Sequence, residues 1–221
     1  MNLARGLERR LEKLVDGASA SMFRGTMHPI DIASRLVRQI EFLSSETTVG
    51  TQVPNDLVVR MNAADINETL ARDTLVDELM VVVTETAVLR GWRLVGPVRI
   101  HIVTSTDVPR GILEVEGTDT VGPTPPWGQL IADDGSAVLA ISLNRTLLGR
   151  SLDCDIRVAN HEVSRHHAII FREEGNIMVT DLDSANGTFV NGVRLADRPV
   201  PVAAGDTVMF GNLSFTYRPI F

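Results

Sequence analysis

Three pairs of polar residues in the last third of the chain could act together on an anion. Gly149-Arg150, Ser164-Arg165 and Asn186-Gly187 each lie between short apolar runs, where loops are expected. An arginine guanidinium can meet two oxygens of an anion at once, a serine hydroxyl can donate a further hydrogen bond, and an asparagine amide can both donate and accept. Brought together, these side chains would bind a phosphate group and the main chain beside it.

Such side chains need a framework that gathers their loops. From Ser136 onward the sequence consists of short runs of β-branched residues separated by turns, and no segment shows a convincing helical period. The predicted strands are Val138–Leu143, Thr146–Gly149, Asp155–Val158, Ala168–Phe171, Ile177–Thr180, Thr188–Val190, Thr207–Phe210 and Leu213–Tyr217. This pattern predicts an antiparallel β-sandwich that carries the three polar pairs in its loops.

The three pairs also follow one another in a specific order. Gly-Arg is followed by Ser-Arg-x-His and then by Asn-Gly-Thr-Phe-x-Asn-Gly. In this order they resemble the motifs of forkhead-associated (FHA) domains, and the resemblance covers residues 136–221. It implies a phosphothreonine-peptide site in which Arg150, Ser164 and Arg165 bind the phosphate and Asn186 holds the peptide main chain.

The resemblance gives other residues the task of shaping the site. Gly149 would allow a tight main-chain approach, and Gly187 is expected in a turn with positive φ. His167 resembles the histidine that supports the loop from behind, with direct ligand contact as the alternative. Ala185 stands where many relatives carry a hydroxyl residue, which would weaken one contact. Asn191-Gly192 is expected to be mainly a turn.

The first 116 residues show a different pattern. Leucines recur at helical spacing near the start, at Leu3, Leu7, Leu11 and Leu14. Pro29 suits the first turn of a second helix, and a long helix is expected from about Asp65 to Arg90, with Gly91 as its stop. Strands are predicted at Leu57–Met61, Val98–Val103 and Ile112–Val115. Residues 1–116 therefore predict a small α+β domain with its helices leading.

Residues 117–135 predict a linker between the domains. They contain four glycines, three prolines and three threonines. Thr118, Thr120 and Thr124 would be accessible to a protein kinase in such a linker, and the alternative is that they only keep it polar. If one were phosphorylated, it could occupy the chain's own site or that of a neighbouring copy.

The N-terminal domain also carries a resemblance. The stretches LERRLEKLVDG (7–17), HPIDIA (28–33), VPND (53–56) and GPV (96–98) resemble the domain that precedes an FHA domain in actinobacterial FhaA-like proteins. This resemblance implies an adaptor that works with Ser/Thr protein kinases of cell-wall and cell-division regulation. Its expected partners are phosphothreonine-containing proteins, either such kinases or their membrane-associated substrates. Self-association through the N-terminal domain is a further expectation.

Charge argues against general nucleic-acid binding. The chain has 21 Lys and Arg against 28 Asp and Glu, a formal charge of −7, whereas proteins that neutralise several phosphates display a basic face. One alternative is a phosphorylation-responsive transcriptional regulator with a DNA-binding N-terminal domain, although Met1–Ser45 shows no basic recognition face. Another is a purely structural oligomerisation protein with a vestigial pocket.

No pattern indicates an enzyme, a cofactor or a metal. His161 and His166 are five residues apart, whereas the zinc-protease pattern needs four on one helical face. The sequence contains neither the nucleotide-binding motif GxxxxGK[ST], nor the dinucleotide fingerprint GxGxxG, nor the nucleophile elbow GxSxG. Cys154 is the one cysteine, so an internal disulfide is excluded. Without a signal peptide or a long apolar run, we expect a cytoplasmic chain that does not insert into the membrane, although partners could recruit it to the inner face.

Overall fold

The computed structural model describes residues 27–66 and 69–220 and, within 69–72, the main chain alone. The predicted first helix, with its four leucines, lies outside these residues. The described residues form two compact units. The N-terminal unit comprises the described parts of 1–46, 51–89 and 94–122, and the C-terminal unit comprises those of 47–50, 90–93 and 123–221.

Two helices belong mainly to the N-terminal unit. Helix α1 (Pro29–Phe42) begins at the predicted proline. Proline suits this position because the first N–H groups of a helix find no acceptor within the helix, and proline has no N–H. The apolar stripe of α1 is buried and consists of Ile32, Ala33, Leu36, Val37 and Ile40. Helix α2 (Thr69–Arg90) confirms the predicted long helix and is followed by Gly91, whose φ of 65° ends the helical path. A 3-10 turn (Ala63–Asp65) precedes it. No helix in the described part of the chain is long and apolar enough to cross a membrane.

A three-stranded sheet completes the N-terminal unit. The central strand β3 (Asp56–Met61) pairs in parallel with β4 (Arg99–Thr104) and antiparallel with β5 (Leu113–Thr118), and α1 packs on β5. Alternate residues of β3 are buried, as expected of a strand with one covered face. These strands lie where the apolar runs predict them, so the α+β prediction is confirmed. A hairpin that was not predicted, β1 (Ser45–Thr47) and β2 (Gly50–Gln52), follows α1.

Asn55, in the turn before β3, is fully buried. Its Nδ2 donates to the carbonyl oxygens of Pro97 (3.0 Å) and Thr120 (2.9 Å), and its Oδ1 accepts from the Thr120 N–H (2.9 Å). One side chain thereby joins the start of β3 to the segment before β4 and the segment after β5. Such a buried amide stabilises the unit only because its donors and acceptor are all used.

We expect Asn55→Ala to lower the free energy of unfolding by about 2–4 kcal/mol, because it leaves two carbonyls and one N–H without their buried partner. Urea denaturation of the full chain measures this. The control is Asn176→Ala, because Asn176 is exposed and makes one long hydrogen bond of 3.4 Å. Equal effects of the two substitutions would show that the Asn55 contacts do not stabilise the fold.

The C-terminal unit is a sandwich of two sheets, as predicted. The first sheet has the order β14-β11-β10-β8-β9 and the second β13-β12-β15-β16-β6-β7. The first contains β8 (Arg145–Gly149), β9 (Ile156–Arg157), β10 (Ala168–Glu173), β11 (Asn176–Asp181) and β14 (Val200–Pro201). The second contains β6 (Gly128–Ala132), β7 (Val138–Ile141), β12 (Thr188–Val190), β13 (Val193–Arg194), β15 (Thr207–Phe210) and β16 (Leu213–Pro219). Only the β8–β9 pairing is parallel among the described strand pairs of these two sheets. Buried residues of both sheets form the core between them, among them Leu130, Ile170 and Phe210.

The predicted linker of 117–135 is wrong at both ends. Its first two residues complete β5, and Gly128–Ala132 form β6, which pairs with β16. Residues 128, 130 and 132 are buried on one face of β6, and Gly128 lies so close to Tyr217 that a Cβ would be 2.8 Å from its ring. Gly128 is required by this close contact, but in the sequence it looks the same as a glycine in a flexible linker. The parts of the predicted linker outside strands are therefore 119–127, between β5 and β6, and 133–135, in the turn after β6.

Two short segments that precede the linker in sequence are also part of the C-terminal unit, residues 47–50 and 90–93. Val49 packs with Leu147, Ile169 and Phe171 in an apolar cluster separate from the main core. Asn144 Nδ2 donates to the carbonyl of Trp92 (2.9 Å). These segments therefore contribute to the packing of the first sheet.

Candidate functional site

The first two polar pairs lie on neighbouring loops of the sandwich. Arg150 follows β8, and Ser164 and Arg165 lie in the loop between β9 and β10. The Arg150 N–H donates to the Ser164 carbonyl (2.9 Å), and the Ser151 N–H donates to the Arg165 carbonyl (3.1 Å). These main-chain bonds hold the two loops side by side.

Gly149 makes this approach possible. A Cβ at position 149 would lie 2.1 Å from the Arg165 carbonyl oxygen and 3.0 Å from Cys154 Sγ. The nearest obstacle is main chain, which cannot rotate away as a long side chain can. The contact gives a physical reason for a glycine before Arg150, in agreement with its expected role.

The third loop, between β11 and β12, is attached to the second. The Ala185 N–H donates to Ser164 Oγ (3.0 Å), and Asn186 Nδ2 donates to the Glu162 carbonyl (3.0 Å). Gly187 has a φ of 84°, which confirms the predicted positive-φ turn. All three predicted pairs are thus brought together by hydrogen bonds.

Asp181, at the end of β11, fixes the shape of the third loop. Its carboxylate accepts from the Ser184 N–H (2.9 Å), the Ser184 hydroxyl (2.7 Å) and the Thr188 hydroxyl. Burial raises the pKa of Asp181, but the hydrogen bonds from Thr188 and Ser184 outweigh it and hold the pKa below its usual value. The carboxylate is therefore ionised at neutral pH. The sequence motifs assigned no role to Asp181, although it directly follows the predicted strand Ile177–Thr180 and lies five residues before Asn186.

The ligand-facing candidates differ from their supports in exposure. Arg150, Arg165 and Asn186 are exposed, and Ser164 is half-buried. Within residues 27–66 and 69–220, neither arginine guanidinium forms an ion pair. Ser164 Oγ accepts a hydrogen bond from Ala185, so its own hydrogen remains for donation. This set of donors and positive charge suits a dianion at the surface.

Asn186 is engaged more fully than the motif predicts. Its Nδ2 donates to the Glu162 carbonyl and also to the Glu162 carboxylate (2.8 Å). Both amide hydrogens are therefore used, and Oδ1 is the group left to accept a hydrogen bond from a ligand main chain. The predicted role as donor and acceptor together requires the Glu162 carboxylate to release the amide.

His167 is fully buried behind the loops. Its Nδ1 accepts from the Ser164 N–H (3.0 Å), so Nε2 carries the hydrogen and donates to the Gly187 carbonyl (3.2 Å). Its ring also meets Phe210 edge-on at 5.7 Å. These contacts link the second and third loops and assign His167 a supporting position, away from the exposed donors. Burial lowers the pKa of His167, and the hydrogen bond to Gly187 and the charge of Asp181 offset part of this effect.

Acid should destabilise the C-terminal unit through His167. Because its pKa is lower in the folded chain, the unfolded chain takes up the proton first as the pH falls through about 6.5, and stability falls with it. We expect the denaturation midpoint to decrease between about pH 7.5 and pH 5.5 in the wild type and to change less in His167→Gln. The exposed His101→Gln serves as control and should keep the wild-type slope. The same slope in all three proteins would contradict this origin.

Asp153, Cys154 and His166 lie beside the first two loops, with one possible ligand atom of each within 4.8 Å of the others. Metals bind the thiolate form of cysteine, whereas burial, together with the charge of Asp153, raises the pKa of the Cys154 thiol. The thiol donates to the Arg165 carbonyl (3.1 Å), and His166 Nε2 lies 2.9 Å from Asp153 Oδ2. These three side chains therefore hold the first two loops together.

The three candidate phosphorylation sites have different surroundings. Thr118 ends β5 and is exposed, whereas Thr120 is half-buried and its main chain is held by Asn55. The hydroxyl of Thr124 is buried. The expectation that all three are accessible is wrong for Thr124, because protein atoms cover its hydroxyl.

A two-sheet sandwich whose loops present Gly-Arg, Ser-Arg-x-His and Asn-Gly in this arrangement is an FHA domain. Residues 146–211 match the FHA domain family, and residues 5–116 match the FhaA N-terminal domain family. The second match covers half of the 221-residue chain. The chain belongs to the FhaA N-terminal domain family, and in this chain that domain precedes an FHA domain.

Individual proteins are similar over shorter stretches. The chain is 33% identical over 112 residues to the oxoglutarate dehydrogenase inhibitor of Corynebacterium diphtheriae, which covers 48% of this chain and 75% of that protein. It is 40% identical over 86 residues to the proliferation marker protein Ki-67 of Mus musculus, 39% of this chain and 3% of that protein. It is also similar to a solved FHA domain with phosphothreonine-dependent interactions, at 29% identity and a TM-score of 0.38, over 42% of this chain and 95% of that one. The chain thus spans only a small part of Ki-67, so that similarity is domain-sized.

Proposed function

We propose that this chain is a non-enzymatic signalling adaptor that binds phosphothreonine in partner proteins. The observation that carries the proposal is the interlocking of three loops that leaves Arg150, Ser164 and Arg165 with donors toward solvent. The FHA family match and the regulatory names of relatives such as the oxoglutarate dehydrogenase inhibitor agree with it.

The chemistry of phosphothreonine fits these donors. A phosphorylated side chain carries close to two negative charges and three acceptor oxygens. Arg150 and Arg165 supply charge and forked donors, and the Ser164 hydroxyl supplies a neutral one. In a chain with a net charge of −7, affinity must come from this local geometry. We expect a dissociation constant in the micromolar range, about −8 kcal/mol.

The wider role follows from the FhaA family. We propose that the chain acts downstream of Ser/Thr protein kinases, in cell-wall or cell-division regulation, and binds phosphorylated kinases or their membrane-associated substrates. Such partners would recruit it to the inner face of the membrane. Self-association through the N-terminal domain belongs to the same proposal. Nothing in the similarities favours the alternative of a transcriptional regulator with a DNA-binding N-terminal domain.

The test is binding of the full chain to a library of peptides that carry threonine, phosphothreonine or phosphoserine. We expect selection of phosphothreonine peptides, and we expect Arg150→Ala to weaken the best of them by about 10- to 100-fold, because charge-assisted hydrogen bonds are worth about 1.5–3 kcal/mol each. Fluorescence anisotropy with labelled peptides measures the affinities.

Arg198→Ala is the matched control, since Arg198 is exposed and lies outside the three loops. It should bind as the wild type does. Equal binding of phosphorylated and unphosphorylated peptides would refute the proposed function. Unchanged affinity in Arg150→Ala, with phosphothreonine still selected, would refute the site assignment alone.

A further inference from the structure

Arg93 forms a forked ion pair within the C-terminal unit. Its Nη1 and Nη2 atoms lie 2.8 Å from Oδ2 and Oδ1 of Asp155, respectively. The side chains of Arg93 and Asp155 are 12% and 18% exposed, respectively. Asp155 is exposed as a whole residue, so most of its exposed area belongs to its main chain. A forked pair that is largely removed from water has one preferred geometry and holds its two chain segments more firmly than an exposed pair does.

Both partners make additional bonds to strand β8. Asp155 Oδ2 accepts from the Leu147 N–H (2.7 Å), and Arg93 Nη1 donates to the Arg145 carbonyl. Arg93 therefore fixes Asp155 relative to the strand that leads into Arg150. Removal of Arg93 would leave the Asp155 carboxylate partly buried with a single main-chain donor.

Asp155 ends the loop that begins at Arg150. At its start, this loop is held by the bond from the Arg150 N–H to the Ser164 carbonyl. In its middle, Asp153 bonds His166. At its end, Asp155 is held by Arg93. The loop is thus held along its length, and of these three bonds only the one to Arg93 depends on a residue from before the linker.

We propose that Arg93 is a positioning residue for Arg150 and that the FHA domain of this protein uses the segment 90–93 to set the conformation of its phosphate-binding loop. The inference rests on the proposed phosphothreonine site. Arg93 lies inside the stretch matched by the FhaA N-terminal domain family, so that part of the sequence contributes to ligand affinity without contacting the ligand.

The experiment compares Arg93→Ala, Arg93→Lys, Asp155→Asn and the double variant Arg93→Ala/Asp155→Asn in the full chain. A phosphothreonine peptide selected by the wild type is the probe. We expect Arg93→Ala to weaken binding about tenfold, and the double variant to be no weaker than the single ones, because both remove one shared interaction. Arg93→Lys should recover only part of the affinity, since lysine cannot form the fork.

Two further measurements separate positioning from general stability. In ¹H–¹⁵N spectra, Arg93→Ala should shift the amide signals of Arg150 and Ser151 while those of Asn186 and Gly187 stay in place. Thermal unfolding reports stability in the same samples. Arg60→Ala is the control, because it removes an arginine from an exposed pair with Glu116 at 3.4 Å.

An affinity that is unchanged in Arg93→Ala, with a lower unfolding temperature, would overturn the proposal and leave Arg93 a purely structural residue. Shifts spread evenly over all three loops would overturn it too. If Arg93→Ala does not fold, Arg93→Lys and Asp155→Asn decide by the same criteria. If the wild type itself does not distinguish phosphorylated from unphosphorylated peptide, the proposed function fails and this inference fails with it.

Discussion

The main-chain contact between Gly149 and Arg165 is the constraint on which the rest of the site depends. With no Cβ at position 149, the two loops approach until the N–H groups of Arg150 and Ser151 reach the carbonyls of Ser164 and Arg165. Those bonds decide where both arginine side chains leave the main chain. Ser164 in turn accepts the bond that attaches the third loop. The candidate site is thus assembled from segments that are distant in sequence, the first two joined by main-chain bonds and the third attached by the side chains of Ser164 and Asn186.

Two groups behind the loops keep this arrangement, the buried His167 and the half-buried Asp181, and the pKa of each lies below its usual value. His167 is kept neutral by burial and needs that state, because its Nδ1 must accept from Ser164. Asp181 is kept ionised by the donors of Ser184 and Thr188. Their nearest atoms are 4.0 Å apart, so a proton on the imidazole would gain a Coulomb attraction but lose the bond to Ser164. The observed hydrogen-bond pattern favours the neutral ring, so the charge in this supporting layer is that of the Asp181 carboxylate and His167 adds none.

Sequence reasoning was most successful where one local pattern decides the structure. The proline at Pro29, the apolar run Leu57–Met61 and the β-branched runs after residue 136 each predict an element that the structure contains. Two-residue strands such as Val193–Arg194 carry no readable period. Gly128 in β6 packs on Tyr217, 89 residues away, and in sequence it cannot be distinguished from a linker glycine. The candidate binding residues were identified because their motifs occur in the same order as in FHA domains. The contacts of Glu162 and Arg93 join residues 24 and 62 positions apart, and no local spacing reveals such pairings.

The same distinction applies to the division of the chain into domains. A family boundary near residue 116 follows sequence similarity, whereas the compact units follow packing, and they disagree at residues 47–50 and 90–93. At the second of these segments the disagreement has a chemical basis. The Arg93 guanidinium forms a fork with the Asp155 carboxylate and also donates to the carbonyl of Arg145, so it binds acceptors at the end of the Arg150–Asp155 loop and on β8. Because a partly buried carboxylate is costly without a charged partner, Asp155 and Arg93 constrain each other, and the structural FHA domain begins earlier in the chain than its sequence motif does.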